Sequence, residues 1–426
     1  MEYSVLEIHD LALNLWRGNR LLCSSPGYAL CEDEKLVFGE QAKRQARIQP
    51  QNVNNLYWFK LSTQALDQPF GKMRHYADIA HQHLLSLVEQ AGEIEQVVLA
   101  VPSNYSREQL ALLLGIIKSS PLQVVGLVDS SLAYALPKLE GTAAISFDIQ
   151  LHTVSVNHFK LSDGFWERQH IQTLPDCGWL ALQEKLCRAI SECFVSQTRF
   201  DPLNSATTEQ DLCNQLPKYL EQLQNVEAIN INIGDYTARV DRKVLSLCCE
   251  NIYHRLEQLV SSLNGTVYGG ALLSILPDIK NSLPGIIALD QSDLSITITD
   301  NQQRLITQGK HPSMTSRLPS SKKTSPETKE PPTHLLYRHT AYPLQQHITW
   351  LGNRELCPRH CIELPITSAV ALEYKGNDLL FSESGQCKAR VNSQLGKLTT
   401  ALQTGDIIEL DNIQVSLIRV QGSDGT

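Results

Sequence analysis

Between residues 97 and 136 the apolar and polar positions follow two alternating rhythms. Val97, Val98, Leu99, Ala100 and Val101 form an unbroken apolar run that ends at Pro102. Such a run predicts a strand covered on both faces. Ser106 stands three residues before Gln109, the capping-box spacing in which each side chain satisfies a free N–H at a helix start. Leu110, Leu113, Leu114 and Ile117 then recur at i, i+3, i+4 and i+7, which places them on one helix face. Pro121 closes that helix, and Val124, Val125, Leu127 and Val128 predict the next strand. Any α/β domain with a strand–helix–strand unit gives this pattern.

The same reading extends along the chain. Residues 3–16 and 20–40 read as paired strands around a Gly18-Asn19 turn. Residues 76–91 place Ile79, Ala80, His83, Leu84, Leu87 and Val88 along one helical face, while His75, His81 and His83 are expected at the surface or the core edge. Residues 142–161 predict a hairpin, 179–197 and 241–263 two amphipathic helices, and 264–275 a strand, a Gly-Gly turn and a helix start. Residues 309–334 break the rhythm with five prolines, five serines and four threonines. That composition predicts a flexible linker, and its five Lys/Arg against two Glu suit an acidic partner. Beyond it, residues 335–426 carry short runs such as AVALEY, DLLFSE, DIIELD and IQVSLIRV. They predict a small, mostly antiparallel β-domain, a sandwich.

Composition narrows the classes. A chain of 426 residues with 42% hydrophobic and 19% charged residues is that of an ordinary globular protein of two or three domains. The net charge of −8 argues against a nucleic-acid partner. MEYSVLEIHD has no signal-peptide core, and no apolar window is long enough to span a bilayer, so membrane insertion is not expected. Eleven scattered cysteines suit free thiols in a reducing cytoplasm, where the protein is expected to reside. Cys357 and Cys361 have no second ligand pair nearby, so no metal site is predicted. Cys248-Cys249 sits among apolar helix positions and reads as buried thiols.

Five ordered landmarks make residues 1–308 resemble the nucleotide-binding domain of the heat shock protein 70 family, a member of the actin-like ATPases. LVFGEQAKRQARIQPQNVNNLYWFKL (36–61) is similar to the stretch leading to that family's catalytic lysine, which puts Lys60 in its place. VVLAVPSNYSREQ (97–109) is similar to its strand and Val-Pro turn. LVDSSLAYAL (127–136) sets Asp129 where an acidic residue organises magnesium and water. SFDIQLHTVSV (146–156) falls at the second phosphate loop, with Asp148 and Thr153 at its ends. VYGGALLSILPDI (267–279) is similar to the adenosine-contacting turn, Gly269-Gly270. The resemblance implies a two-lobed α/β actin-like fold binding ATP or ADP with Mg2+ through Glu7, Lys60, Asp129, Asp148, Thr153, Gly269 and Gly270, with Lys60 and Asp129 as catalytic candidates.

The departures from that pattern carry the functional expectation. The first phosphate turn needs glycine and hydroxyl residues so that backbone N–H groups reach phosphate oxygens, and here it reads Glu7-Ile8-His9-Asp10-Leu11-Ala12-Leu13. The second reads Asp148-Ile149-Gln150-Leu151-His152-Thr153, with all three family glycines replaced, and Ser155 stands at a further acidic position. Phosphoryl transfer depends on positioning and charge neutralisation. The expectation is therefore a degenerate fold with weak or no ATP hydrolysis, a scaffold or nucleotide sensor. The alternative is a divergent ATP-dependent chaperone or an actin-like assembly ATPase. Residues 366–394 and 402–420 faintly resemble the late strands of a forkhead-associated domain, which would make Arg354 and Asn392 partner-binding residues. Its Ser-x-x-His element is missing, since Ala371 follows Ser368 at the third position. Protein partners are thus expected through the C-terminal β-domain or the linker.

Overall fold

The computed structural model describes residues 4–306, 312–320, 332–345, 348–357, 361–366, 369–375, 378–382, 389–391, 394–395, 401–402, 404–411 and 413–418. The chain divides into two compact units, Met1–Ser321 and Lys322–Thr426.

The first unit is mixed α/β and holds two six-stranded sheets that repeat one topology. The first sheet runs in the order Met314–Thr315, Gln123–Asp129, Gln96–Val101, Ser4–Glu7, Leu13–Arg17, Arg20–Ser25. The second runs Ile287–Ala288, Thr266–Gly269, Ala143–Ile149, Thr153–Ser162, Phe165–Pro175, Arg317–Pro319. In each, a central strand pairs antiparallel with the next strand in sequence and parallel with a later one. Ser4–Glu7 does so with Leu13–Arg17 and Gln96–Val101, and Ala143–Ile149 with Thr153–Ser162 and Thr266–Gly269. Parallel pairs need crossovers, and helices supply them. Tyr76–Ala91 and Arg107–Lys118 serve the first sheet; Trp179–Thr198, Ala206–Leu223 and Arg242–Leu263 serve the second.

The predicted cap at Ser106 forms in full. Its hydroxyl accepts the Gln109 N–H at 3.2 Å, and Gln109 accepts the Ser106 N–H at 3.0 Å. The helix buries Leu113, Ile116 and Ile117, with Leu110 and Leu114 half-buried. One core lies between the first sheet and its helices, a second between the second sheet and its helices. A third draws on both sheets through Val98, Phe159, Trp166 and Tyr268.

Two expectations need correction here. His83 is not at the core edge but fully buried. Tyr57 OH and Trp58 Nε1 donate to its Nδ1 at 2.7 and 3.1 Å, so Nε2–H donates to Ser25 Oγ at 2.7 Å. Burial lowers this imidazole to about 3. Residues 312–320, expected within the linker, instead carry two short strands. Met314–Thr315 pairs with Gln123–Asp129 of the first sheet, and Arg317–Pro319 with Phe165–Pro175 of the second. Leu318 is fully buried and Arg317 lies over the Phe165 ring at 4.7 Å. Residues 307–311 and 321–331 of that linker lie outside the described residues.

In the second unit, a six-stranded and a five-stranded sheet share one core. Leu335 and Leu417 reach it from the first, Leu351, Leu372 and Leu379 from the second. Asp411 turns between the strands Ile407–Leu410 and Ile413–Ile418 with a φ of 50°. Among the described residues no helix is long and apolar enough to cross a membrane.

Candidate functional site

Because the sheets repeat one topology, the turns after Ser4–Glu7 and after Ala143–Ile149 are equivalent, and they meet. His9 Nε2 lies 3.2 and 3.3 Å from the two carboxylate oxygens of Asp148, with side chains only 12% and 26% exposed. Burial works against the imidazolium, but Asp148, Asp10 and Glu7 outweigh it and raise His9 to about 10. The Leu11 N–H approaches Nδ1 at 3.2 Å, an approach that a neutral ring accepts and a protonated one does not. Asp10 Oδ1 lies 3.7 Å from the same nitrogen. Burial also tends to raise Asp148, yet His9 and Gln150 hold it below the usual carboxylate range.

The residues standing in place of the loop glycines extend this contact. Gln150 Nε2 donates to Asp148 at 3.3 Å and to Asn104 at 3.2 Å, and Asn104 Nδ2 returns a bond to Gln150 at 2.8 Å. Asp10 accepts the Leu151 N–H at 2.8 Å; burial raises its carboxyl, and its Oδ2 is a buried acceptor without a partner. His152 Nε2 donates to the Asn55 carbonyl at 2.9 Å, and its ring stacks on Phe59. Glu7 is buried beside them, accepting from Asn14 at 2.8 Å and bonded by the Tyr134 hydroxyl. Burial raises it above the usual range.

Two cavities flank this chain of side chains. One of about 180 Å³ is bordered by Glu7, His9, Tyr134, Asp148 and Gly270. Another of about 430 Å³ is bordered by Asp10, Trp58, Asn104, Gln150 and His152. The linkage His9–Asp148–Gln150–Asn104 joins their walls.

A polyphosphate does not fit between the turns. Two of the backbone donors it would use are taken: Gln150 N–H donates to Thr153 O at 2.9 Å, and Leu151 N–H binds Asp10. The Trp179–Thr198 helix offers nothing either, since Trp179 and Leu180 N–H donate to the Gln150 and Leu151 carbonyls. A Cβ on Gly178 would sit 2.3 Å from the His152 backbone, so helix and turn are pressed together. Three carboxylates, Glu7, Asp10 and Asp148, face one histidine, the wrong balance for an anion. Among the described residues no three His, Cys, Asp or Glu side chains are grouped to hold a metal ion.

The predicted site residues are only partly brought together. Glu7, Asp148 and Gly270 border the smaller cavity, and Thr153 borders the larger, its hydroxyl donating to Leu174 O at 2.8 Å. Gly269 is packed away from it, with Ile286 2.8 Å from where a Cβ would be. Lys60 borders neither cavity and is half-exposed, 3.9 Å from the exposed Asp67. Asp129 borders neither cavity. Fully buried, it accepts from Ser103 Oγ at 2.7 Å and from the Leu132 N–H at 3.1 Å, capping Ser130–Ala135, and pairs with Arg168. Arg354 is 83% exposed, 3.6 Å from Glu363; Asn392 lies outside the described residues. Sequence reasoning noted His9, Asp10 and Gln150 only as losses and passed over Asn104. Three ionisable residues in four positions at the end of a buried strand were the available signal.

No protein-family model matches the chain. A chaperone protein dnaK of Phaeodactylum tricornutum is 22% identical over 246 residues, covering 49% of this chain and 40% of that protein. The match thus spans less than half the length of that relative. Together with the mixed α/β body, this distant likeness supports a domain of the Hsp70 nucleotide-binding type.

Proposed function

We propose that the first unit is a two-lobed, actin-like frame in which phosphate handling has given way to an internal closure. On this reading the protein serves a chaperone-like process as a scaffold or sensor without appreciable ATP turnover. The second unit, a β-sandwich, carries contacts to protein partners. The observation behind the proposal is the His9–Asp148 pair with its Gln150–Asn104 extension, which occupies the ground where phosphate loops would meet. Losing a single main electrostatic contact in such chemistry costs about a hundredfold or more, and here both turns have changed.

Calorimetric titration with ATP and ADP, with and without Mg2+, tests it alongside a phosphate-release assay. The wild-type chain should release no phosphate above the blank. The His9→Gly/Gln150→Gly double variant, which frees both turns, should bind nucleotide more tightly than the wild type. Hydrolysis by the wild type that Lys60→Ala abolishes would overturn the proposal in favour of a divergent ATP-dependent chaperone.

A further inference from the structure

Away from the turns, a second cavity of about 460 Å³ lies between the segment 28–55 and the helices Trp179–Thr198 and Ala206–Leu223. Its lining includes Lys43 and Arg47, each beside a carboxylate, together with Glu184 and one thiol, Cys213. Directly behind Cys213, on the neighbouring helix, is Cys187, with the two sulfurs 3.7 Å apart and both free. We propose that Cys213 and Cys187 form a thiol–disulfide exchange site whose substrate is a small disulfide, admitted through this cavity.

Three features beyond the sulfur separation build the site. Arg47 shares the cavity wall with Cys213 and is itself held by Glu209 at 3.3 Å and by its own N–H to Gln210 at 2.7 Å. A fixed cation beside a thiol favours the thiolate, the nucleophilic form. The contact with Cys187 and the charge of Arg47 together lower Cys213 against the opposing effects of burial and Glu209, and Cys187 is raised. The roles follow: Cys213, at the cavity wall, attacks, and Cys187, behind it, resolves. Pro217 supplies the freedom of movement. Lacking an N–H, it cannot bond the carbonyl four residues earlier, which is that of Cys213. Gln183 Nε2 takes that carbonyl at 3.0 Å instead. One ladder bond beside Cys213 is thus replaced by a side chain, at the turn that has to move for the sulfurs to close from 3.7 Å to the bonding distance of about 2.05 Å.

The exchange balances without another reactant. The Cys213 thiolate attacks one sulfur of the small disulfide; that S–S bond breaks, and one small thiolate leaves with the proton Cys213 gave up. Cys187 then attacks the Cys213 sulfur of the mixed disulfide and expels the second small thiol. The substrate gains two electrons, and the protein gains a Cys187–Cys213 disulfide.

Oxidised glutathione, with the full chain and peptide mapping by mass spectrometry, provides the test. The wild type should yield the linked Cys187–Cys213 peptide. Cys187→Ser should accumulate glutathione on Cys213, whereas Cys213→Ser should leave Cys187 unmodified. Arg47→Met should slow linkage about tenfold by removing the cation from the thiolate. Glutathione confined to the half-buried Cys193 or Cys248, with Cys187 and Cys213 left as thiols, would overturn the proposal. So would equal labelling of Cys187 in the wild type and in Cys213→Ser. Mapping of the wild type decides the matter even if a variant fails to fold.

Discussion

Replacing His9 with alanine measures how firmly the two turns hold each other. At 3.2 Å and an effective dielectric near 20, the His9–Asp148 attraction is about 5 kcal/mol. Burying the imidazolium offsets part of this, leaving a net of about 2–3 kcal/mol, the range of a charge-assisted hydrogen bond. A freely exposed pair would give about 1 kcal/mol or less, so the two outcomes are separable. Urea unfolding of His9→Ala, Asp148→Asn and the double variant gives the coupling, expected at about 2 kcal/mol. Hydrogen exchange in residues 4–17 and 143–154 locates it. The pH dependence supplies a second reading. A histidine raised from 6.5 to about 10 contributes in full below pH 6.5 and loses that contribution as pH climbs toward 10. The gap between wild type and His9→Ala should therefore narrow steadily between pH 6.5 and 10. A gap that does not change over that window, or a coupling below about 0.5 kcal/mol, would refute the reasoning.

His83 should behave in the opposite sense. Its lowering from 6.5 to about 3 means that the unfolded chain takes up a proton the folded one refuses, so stability falls as pH drops from 6.5 toward 3. His83→Ala should cost about 3 kcal/mol by orphaning Tyr57, Trp58 and Ser25, and should flatten that acid limb in urea titrations. Leu318→Ala should cost about 3 kcal/mol, as for a fully buried leucine; a melting temperature unchanged from wild type would show that residues 314–319 are not anchored.

How much was legible depended on the distance over which a signal acts. The 97–129 unit was readable because an unbroken apolar run, a cap spacing and a 3.6-residue period are local, and Ser106, Gln109 and Leu113 do what their spacing implied. His83 was legible only in part: it shares a helical face with Ile79, Leu84 and Leu87, but its polar ring pointed to the core edge, and nothing local showed the partners that bury it. The His9–Asp148 pair joins residues 139 apart in sequence, and no period reaches so far. Lys60 and Asp129 were placed by motif position, and no motif shows that Asp67 lies 3.9 Å from the one or that Arg168 pairs with the other. Strands of two and three residues within a Ser- and Pro-rich window leave no alternation to read, so 314–319 passed for a tether.

That short segment has a mechanical consequence. Thr315 is in register with Val128 in one sheet, and Arg317 with Glu167 in the other. Only Ser316 stands between them, and two Cα steps span at most about 7 Å. The outer margins of the two sheets are therefore clamped to one short strip of backbone at this corner, however the turns at His9 and Asp148 part. A sliding displacement would have to peel one of the strips away. A rotation about the corner would not, which makes Ser316 a fulcrum.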